Sequence, residues 1–169
     1  AYRLLLLAVL ALAGGPRVAW AASYAFPGNL PAGCSGGAGS YSCPTLSLAY
    51  GDTVTIGAPK PATITVNGDF QTNNAQINVG GSAADLSLVV TGTLTVAYQA
   101  RINANITAGA IADPSGSVVF GGSLATTTGS IALAFNSSVA GSITSTSGAI
   151  TLVQGNVVGG SVVSTSGPI

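Results

Sequence analysis

Charged side chains are scarce in this sequence. Eight of the 169 residues are charged, four basic and four acidic, and histidine, glutamate and methionine do not occur. About a quarter of the residues of an ordinary soluble domain are charged, so neither a cytosolic enzyme nor a coiled coil is expected. Four basic side chains cannot neutralise a run of phosphates, and nucleic acid is therefore not an expected partner.

The missing histidine and the few carboxylates also restrict the chemistry that is available. The only carboxylates are Asp52, Asp69, Asp85 and Asp113, and most acid–base and metal sites need imidazole or clustered carboxylates. We interpret the four as solvated turn residues, since aspartate is a common turn former. A serine or threonine without a base is a poor nucleophile. The sequence thus predicts no catalytic residue, no cofactor and no metal.

Long apolar runs are missing beyond the N-terminus. The chain is 47% hydrophobic and its mean hydropathy is +0.59, but no later stretch reaches the roughly 18 apolar residues of a membrane-spanning helix. Valine, isoleucine, leucine and alanine are instead interspersed with serine, threonine, asparagine and glycine. This composition favours strands over helices, so an all-β protein without a membrane span is expected.

Residues 1–21 have the pattern of a secretory signal peptide. Arg3 precedes an apolar stretch over residues 4–13, and the small residues Ala19 and Ala21 mark a cleavage site before Ala22. Each part matches an export signal; a short core helix or membrane anchor is the alternative. We therefore expect an exported protein.

Cys34 and Cys43 are the only cysteines, and they bracket a loop rich in glycine and serine. In an exported chain, two cysteines around such a loop indicate a disulfide. Zinc binding is a poorer alternative, because two thiolates without histidine do not complete a closed zinc site.

The second half of the chain repeats with a period of 19 residues. Two sets of glycine residues keep this spacing. The first is Gly122, Gly141 and Gly160, and the second is Gly129, Gly148 and Gly167. Apolar residues at fixed offsets form three predicted core columns, namely Phe120, Val139 and Val158; Leu124, Ile143 and Val162; and Ile131, Ile150 and Ile169. Within each unit the apolar residues alternate with polar ones, which is the period of a strand.

The repeat extends upstream with less regular spacing. Residues 92–107 match residues 129–144 at an offset of 37, and a fainter unit contains Phe70 and Ile77. Units that bury one side of short strands must stack on each other to fold. We therefore predict an all-β fold, a parallel β-helix (solenoid) with coils of about 19 residues. A β-sandwich is the alternative, but it gives no reason for a register kept over several strands.

Three segments follow from these patterns. Residues 1–21 are the signal peptide, residues 22–60 a disulfide-tied N-terminal cap that includes a strand at Thr53–Ile56, and residues 61–169 a solenoid of about six coils that stops within a repeat. Residues 80–84 are predicted to be a loop insertion. A bare strand edge at the end of the solenoid would pair with another copy, so self-association of this fragment is expected.

Several motifs resemble the N-terminal region of MshQ-like proteins of the mannose-sensitive haemagglutinin (MSHA) pilus. They are residues 24–34 (YAFPGNLPAGC), 48–56 (LAYGDTVTI) and 60–69 (KPATITVNGD), together with the Ser/Thr/Gly repeats. The 19-residue period also resembles the coils of filamentous haemagglutinin, whose repeats form a right-handed β-helix. The resemblance implies a right-handed winding and a Gram-negative envelope protein that is periplasmic, on the outer-membrane surface or extracellular. It also implies further domains downstream as partners, and contact with pilus or cell-surface components.

The remaining candidates for chemistry have ordinary structural interpretations. Lys60 lies between two prolines and Arg101 at a surface position, so both are interpreted as solubilising. Tyr98 and Phe135 are equivalent in the repeat; filling the wide end of a coil is their usual role, with carbohydrate stacking as the alternative. The Ser/Thr triplets at residues 126–128, 145–147 and 164–166 are turn residues or, less favourably, an ice-binding array.

A non-enzymatic structural function is therefore predicted. The chain is expected to be a rigid scaffold or spacer at the bacterial cell envelope, and the resemblance implies a role in MSHA (type IV) pilus biogenesis or adhesion. A carbohydrate-binding adhesin module is the alternative. A polysaccharide-degrading β-helix enzyme, which would depend on Asp69 and Asp85 meeting on neighbouring coils, and an ice-binding solenoid are weaker alternatives.

Overall fold

A computed structural model describes residues 21–169 and is built almost wholly of β-strands, with 46% strand and 2% helix. The predicted signal peptide, apart from its last residue, lies outside the described residues. Among residues 21–169, no helix is long and apolar enough to cross a membrane. The one short 3-10 helix of this part of the chain, Ala83–Asp85, lies in the predicted insertion and is capped by Ser82.

The described residues form nineteen short strands. In chain order they are β1 (Ser23–Phe26), β2 (Ser35–Gly37), β3 (Ser40–Cys43), β4 (Leu46–Ser47), β5 (Thr53–Ile56), β6 (Ala62–Val66), β7 (Phe70–Gln71), β8 (Gln76–Ile77), β9 (Leu86–Thr95), β10 (Arg101–Ile102), β11 (Asn105–Asp113), β12 (Val119–Phe120), β13 (Leu124–Thr126), β14 (Ile131–Leu133), β15 (Ser138–Val139), β16 (Ile143–Ser145), β17 (Ile150–Leu152), β18 (Val157–Val158) and β19 (Val162–Ser164).

One sheet stacks a single strand from each repeat unit. Its seven strands run in the order β1-β5-β8-β10-β12-β15-β18, and every neighbouring pair is parallel. Equivalent residues lie directly opposite each other, so that Phe120 pairs with Val139, and Val139 with Val158. The first predicted column therefore runs straight across this sheet.

The second sheet contains two such rows, which the long strands β9 and β11 join. In the first row, β3, β6, β9, β11, β13, β16 and β19 pair in parallel; in the second, β4, β7, β9, β11, β14 and β17 do the same. Leu124, Ile143 and Val162 are consecutive partners in the first row, and Ile131 and Ile150 are partners in the second. Neither sheet closes on itself.

The space between the rows is filled by one continuous apolar core. Alternate residues point inward, as in β6, where Ala62, Ile64 and Val66 are buried and the threonines between them are not. The predicted columns enter this core at Phe120, Leu124, Ile131, Val139, Ile143 and Ile150. Val158 and Val162 are only partly buried against it. Ile169, assigned to a core column from its spacing, is 72% exposed, because it follows the last strand and no described residue covers it.

Residues 22–60 belong to both sheets. β5 pairs with β8, and β3 with β6, so the sheets continue without a break through the predicted boundary at residue 60. At the edge of the second sheet β2 and β3 form an antiparallel hairpin, and a disulfide joins Cys34 to Cys43 across it. The disulfide closes a short loop and so restricts the unfolded chain.

Glycines mark the corner between the two rows of the second sheet. A Cβ placed on Gly129 would overlap the carbonyl oxygen of Gly109, and one on Gly148 would overlap that of Gly129. The backbones of successive units therefore approach too closely for a side chain at this corner. The full column is Gly68, Gly92, Gly109, Gly129, Gly148 and Gly167. Its last three members are one of the two sets of glycines that keep the 19-residue spacing.

Candidate functional site

A second corner lies where the chain enters the seven-stranded sheet. In the seven-stranded sheet, the residue two positions before the start of β5, β8, β10, β12, β15 and β18 has a positive φ between 57° and 81°. Side chains other than glycine and asparagine rarely adopt this conformation, so its recurrence shows that every unit makes the same turn. The column of left-handed residues is Gly51, Asn74, Gln99, Ser117, Asn136 and Gly155.

The residues immediately before this column form a row in which every second member is an exposed aromatic residue. Tyr50, Tyr98 and Phe135 are 77%, 48% and 46% exposed. Filling the wide end of a coil is therefore the wrong interpretation of Tyr98 and Phe135, because the left-handed turn directs this position away from the core. In chain order the row is Tyr50, Asn73, Tyr98, Gly116, Phe135 and Gln154.

Tyr50 is the member of this row that the repeat analysis missed. The first units are 23 and 25 residues long at this corner, and a fixed period of 19 does not reach Tyr50. A local motif identifies it. Tyr50, Tyr98 and Phe135 each stand four residues before a core aliphatic residue of the seven-stranded sheet, namely Val54, Ile102 and Val139.

Two grooves flank Tyr50 at this corner. The first has a volume of about 440 Å³ and runs over the outer face of the seven-stranded sheet, lined by Tyr50, Asn74, Gln76, Gln99, Arg101, Ser117 and Val119. The second, of about 400 Å³, is lined by Tyr50, Asn73, Asn74, Ala97, Tyr98 and Ser115. We call the two together the corner groove. Its lining combines aromatic rings, side-chain amides, hydroxyls and one guanidinium, and it includes no carboxylate.

Hydrogen bonds between units hold the corner groove in shape. The Asn74 amide donates to the carbonyl oxygen of Tyr98 at 2.7 Å, and the Asn73 amide donates to that of Leu48 at 2.8 Å. The backbone N–H of Ser117 donates to the Phe135 carbonyl oxygen at 2.9 Å. Any Cβ at Gly116 would overlap that same oxygen, so glycine is required beneath Phe135.

Buried polar side chains brace the turns from inside. Asp52 is only 2% exposed; its two carboxylate oxygens accept from the backbone N–H groups of Ala22 and Ala49, each at 2.7 Å. Thr72, also buried, accepts from the N–H of Ala97 at 3.3 Å. These bonds satisfy amides that the turns leave without a strand partner.

Asp113 makes the most extensive of these braces. It is 3% exposed and accepts from the N–H groups of Ser115 at 3.1 Å and Gly116 at 2.7 Å, and from the Ser137 hydroxyl at 2.6 Å. Solvated turn carboxylates are therefore the wrong interpretation of Asp52 and Asp113. Both adjoin turns, Asp52 just before β5 and Asp113 as the last residue of β11, but their side chains face inward, where backbone N–H groups replace water.

Of the other charged side chains among residues 21–169, only that of Arg101 lines the corner groove. Lys60 Nζ and Asp85 Oδ2 form an ion pair at 2.8 Å, and this hydrogen bond, with a second from the Ser82 backbone N–H, lowers the pKa of Asp85. Asp69 accepts from the N–H of Thr93 at 2.8 Å. Asp69 and Asp85 thus have separate partners, and neither lines the corner groove.

The hydroxyl triplets divide between the core and the turns. The first residue of two triplets, Thr126 and Ser145, is buried. The later residues carry turn hydrogen bonds: the hydroxyls of Ser147 and Ser166 donate to the carbonyl oxygens of Thr127 and Thr146. A flat outer array of all three columns is therefore not formed.

Within residues 21–169, no group of three or more cysteine, aspartate, glutamate or histidine side chains could hold a metal ion. The corner groove is the described feature best supplied with ligand-contacting groups, since its polar groups can exchange hydrogen bonds and its rings are exposed. No protein-family model, curated protein or solved structure matches this chain.

Proposed function

We propose that this chain is an exported, non-enzymatic β-solenoid that acts as a rigid spacer or scaffold at the bacterial cell envelope. The observation that carries the proposal is the residue-by-residue pairing of successive units in three parallel rows around one core. Each unit of about 19 residues would then be one right-handed coil and would add about 4.8 Å to a rod.

Two further features support export and stiffness. The Cys34–Cys43 disulfide is typical of oxidising compartments outside the cytosol, in keeping with a signal peptide at residues 1–21. The strand residues of each unit are hydrogen-bonded to the neighbouring units in three rows, so bending requires bonds in several rows to stretch together. Through its resemblance to MshQ-like proteins, we assign the rod to pilus biogenesis or adhesion, where it would hold downstream domains away from the surface.

Duplicating coils tests the architecture. Two extra copies of residues 139–157 inserted after Val157 should lengthen the particle by about 10 Å without changing its cross-section, because each copy repeats an existing register. Small-angle X-ray scattering measures both quantities. An insertion of 38 glycine and serine residues at the same point is the control and should not extend the rod. A wider cross-section in the duplicated variant would contradict the solenoid.

Expression of the full chain in a Gram-negative host tests export. We expect the protein outside the cytoplasm, with Ala22 as its first residue and the Cys34–Cys43 disulfide formed, because residues 1–21 are removed during translocation. Cell fractionation and mass spectrometry of the N-terminal peptide measure this. Deletion of residues 4–13, the apolar stretch, is the control and should retain the protein in the cytoplasm. Retention of the unmodified chain there would contradict the assignment.

A further inference from the structure

The exposed aromatic side chains of the described residues are confined to one row. Within residues 21–169, the exposed aromatics are Tyr50, Tyr98 and Phe135, and all three occupy the position before the left-handed turn. The other rings of the same part of the chain, such as Phe70 and Phe120, are buried, except that of Tyr24, which is partly buried. Aromatic side chains are usually placed inside, so a row of exposed rings along one corner indicates a contact surface.

The spacing of the rings matches the repeat length of a β-1,4-linked polysaccharide. They occur in every second unit, and adjacent parallel strands are about 4.8 Å apart, so successive rings are separated by about 10 Å along the stack. This is close to the length of a disaccharide in an extended β-1,4-linked polysaccharide. In such a chain every second sugar presents the same face, and its axial C–H groups form a flat apolar surface that packs on an aromatic ring.

The polar lining fits the edges of the same ligand. Sugar hydroxyls donate and accept hydrogen bonds, and side-chain amides do both. Asn74 and Gln76 lie on one unit and Gln99 on the next, beside the rings, with Asn73 in the aromatic row itself. Arg101 is the single charged residue of the lining. Its neighbours in the adjacent strands are Gln76 and Val119, so the positive charge is isolated. A polyanionic polysaccharide would need a row of cations, and this lining therefore suits a neutral polysaccharide better.

The surface is also formed before any ligand arrives. The amide of Asn74 holds the carbonyl of Tyr98, Gly116 lies tightly beneath Phe135, and Asp52 and Asp113 fix the turns from inside. A site that needs no ordering of its backbone loses little entropy on binding. Shallow grooves can therefore bind a long ligand through several weak, evenly spaced contacts.

We propose that the corner groove, together with the exposed ring of Phe135 that continues the aromatic row beyond the groove, binds a neutral, extended β-1,4-linked polysaccharide that lies along the stack. Tyr50, Tyr98 and Phe135 stack on every second sugar, and the amides of the neighbouring units hydrogen-bond the hydroxyls at the edges of the chain. This activity goes beyond the proposed spacer function and does not depend on export or on a pilus role. It depends on the spacing of the units, which the paired rows provide.

Calorimetry with defined oligosaccharides tests the proposal. Cellohexaose and chitohexaose, each long enough to contact all three rings, should bind more tightly than the corresponding disaccharides, which reach one ring. Tyr98→Ala should weaken hexasaccharide binding about tenfold, in line with the loss of one stacked aromatic contact. Tyr98→Phe should retain binding, because it keeps the ring. Val163→Ala, an exposed apolar position on the other sheet, is the matched control and should not change the affinity.

Several results would overturn the proposal. Absence of heat with both hexasaccharides at millimolar concentration, or equal binding by wild type and Tyr98→Ala, would exclude the site. Preferential binding of an oligogalacturonate that weakens with salt would replace the neutral ligand by an acidic one. Dimerisation that Tyr98→Ala abolishes, without sugar binding, would assign the row to a second copy of this chain. If Tyr98→Ala does not fold, as judged by its circular dichroism, Tyr50→Ala replaces it, since Tyr50 is 77% exposed.

Discussion

At the scale of single residues, the buried carboxylates have the largest structural consequence. Asp52 and Asp113 each replace solvent with two backbone N–H groups, and Asp113 also accepts from the Ser137 hydroxyl. A carboxylate accepts bonds at both oxygens without offering a donor. It is therefore suited to a turn in which only donors point inward. Both adjoin the corner groove: Asp52 is two residues after Tyr50, and Asp113 accepts from the N–H of Ser115, and both Tyr50 and Ser115 line that groove.

Asp113→Asn tests the role of the more extensively bonded carboxylate. The amide that replaces one oxygen cannot accept from both the turn and the Ser137 hydroxyl, and at least one buried donor loses its partner. We expect the free energy of unfolding to fall by about 1–3 kcal/mol, measured by urea denaturation with the disulfide intact. Asp69→Asn is the control, because Asp69 is exposed and its remaining oxygen can still accept from Thr93. Equal effects of the two substitutions would contradict the bracing role.

The direction of these side chains could not be predicted from the sequence. Turn composition correctly placed Asp52 and Asp113 near turns, but it does not say whether a turn residue points to solvent or to the interior. The aromatic row was missed for a related reason. The repeat places Tyr98 and Phe135 at equivalent positions, but the sequence does not show that the residue after each of them has a left-handed backbone conformation. Without that knowledge, an aromatic residue close to a strand is expected to belong to the core.

At the scale of elements, close approach between units dictates where glycine recurs. At the corner between the two rows of the second sheet, the backbone of each unit lies against that of the unit before it. The 19-residue spacing of Gly129, Gly148 and Gly167 follows from this contact. The turns at the other corner are less restrictive, since they accept Gln99 and Ser117 at positive φ, and they consequently left no composition pattern to detect.

Gly129→Ala tests the close approach. The added Cβ meets the carbonyl oxygen of Gly109 and the Cβ of Ala110, so the two units must separate or the backbone must shift. We expect the free energy of unfolding to decrease by about 1–3 kcal/mol, the usual cost of overpacking, as measured by thermal and urea denaturation. Gly80→Ala is the matched control, because a Cβ there has no neighbour within 4 Å. Unchanged stability in Gly129→Ala would show that the corner can open freely.

At the scale of the whole molecule, the scarcity of charge is consistent with the stacking. Parallel pairing places each outward residue beside its equivalents in the neighbouring units, about 4.8 Å away, and two like charges at such a distance repel by roughly 1 kcal/mol even in water. Arg101 accordingly has Gln76 and Val119 as its neighbours in the row. An all-β stack of parallel strands could be predicted from the sequence because equivalent residues that pair between units recur at a fixed spacing. Before Arg101 the units differ in length, so this spacing is irregular and the first units are harder to recognise.

The direction of the hydrogen bonds between units has a mechanical consequence. The covalent backbone runs across the stack within each unit, whereas the bonds that join one unit to the next, such as those from Ser138 N to Val118 O and from Val157 N to Ser137 O, point along it. Tension applied along the stack is therefore borne by layers of hydrogen bonds and packed side chains connected in series, and the weakest layer sets the load at which the structure yields. When one unit unfolds, its 19 residues can extend to roughly 60 Å, while the remaining layers stay folded.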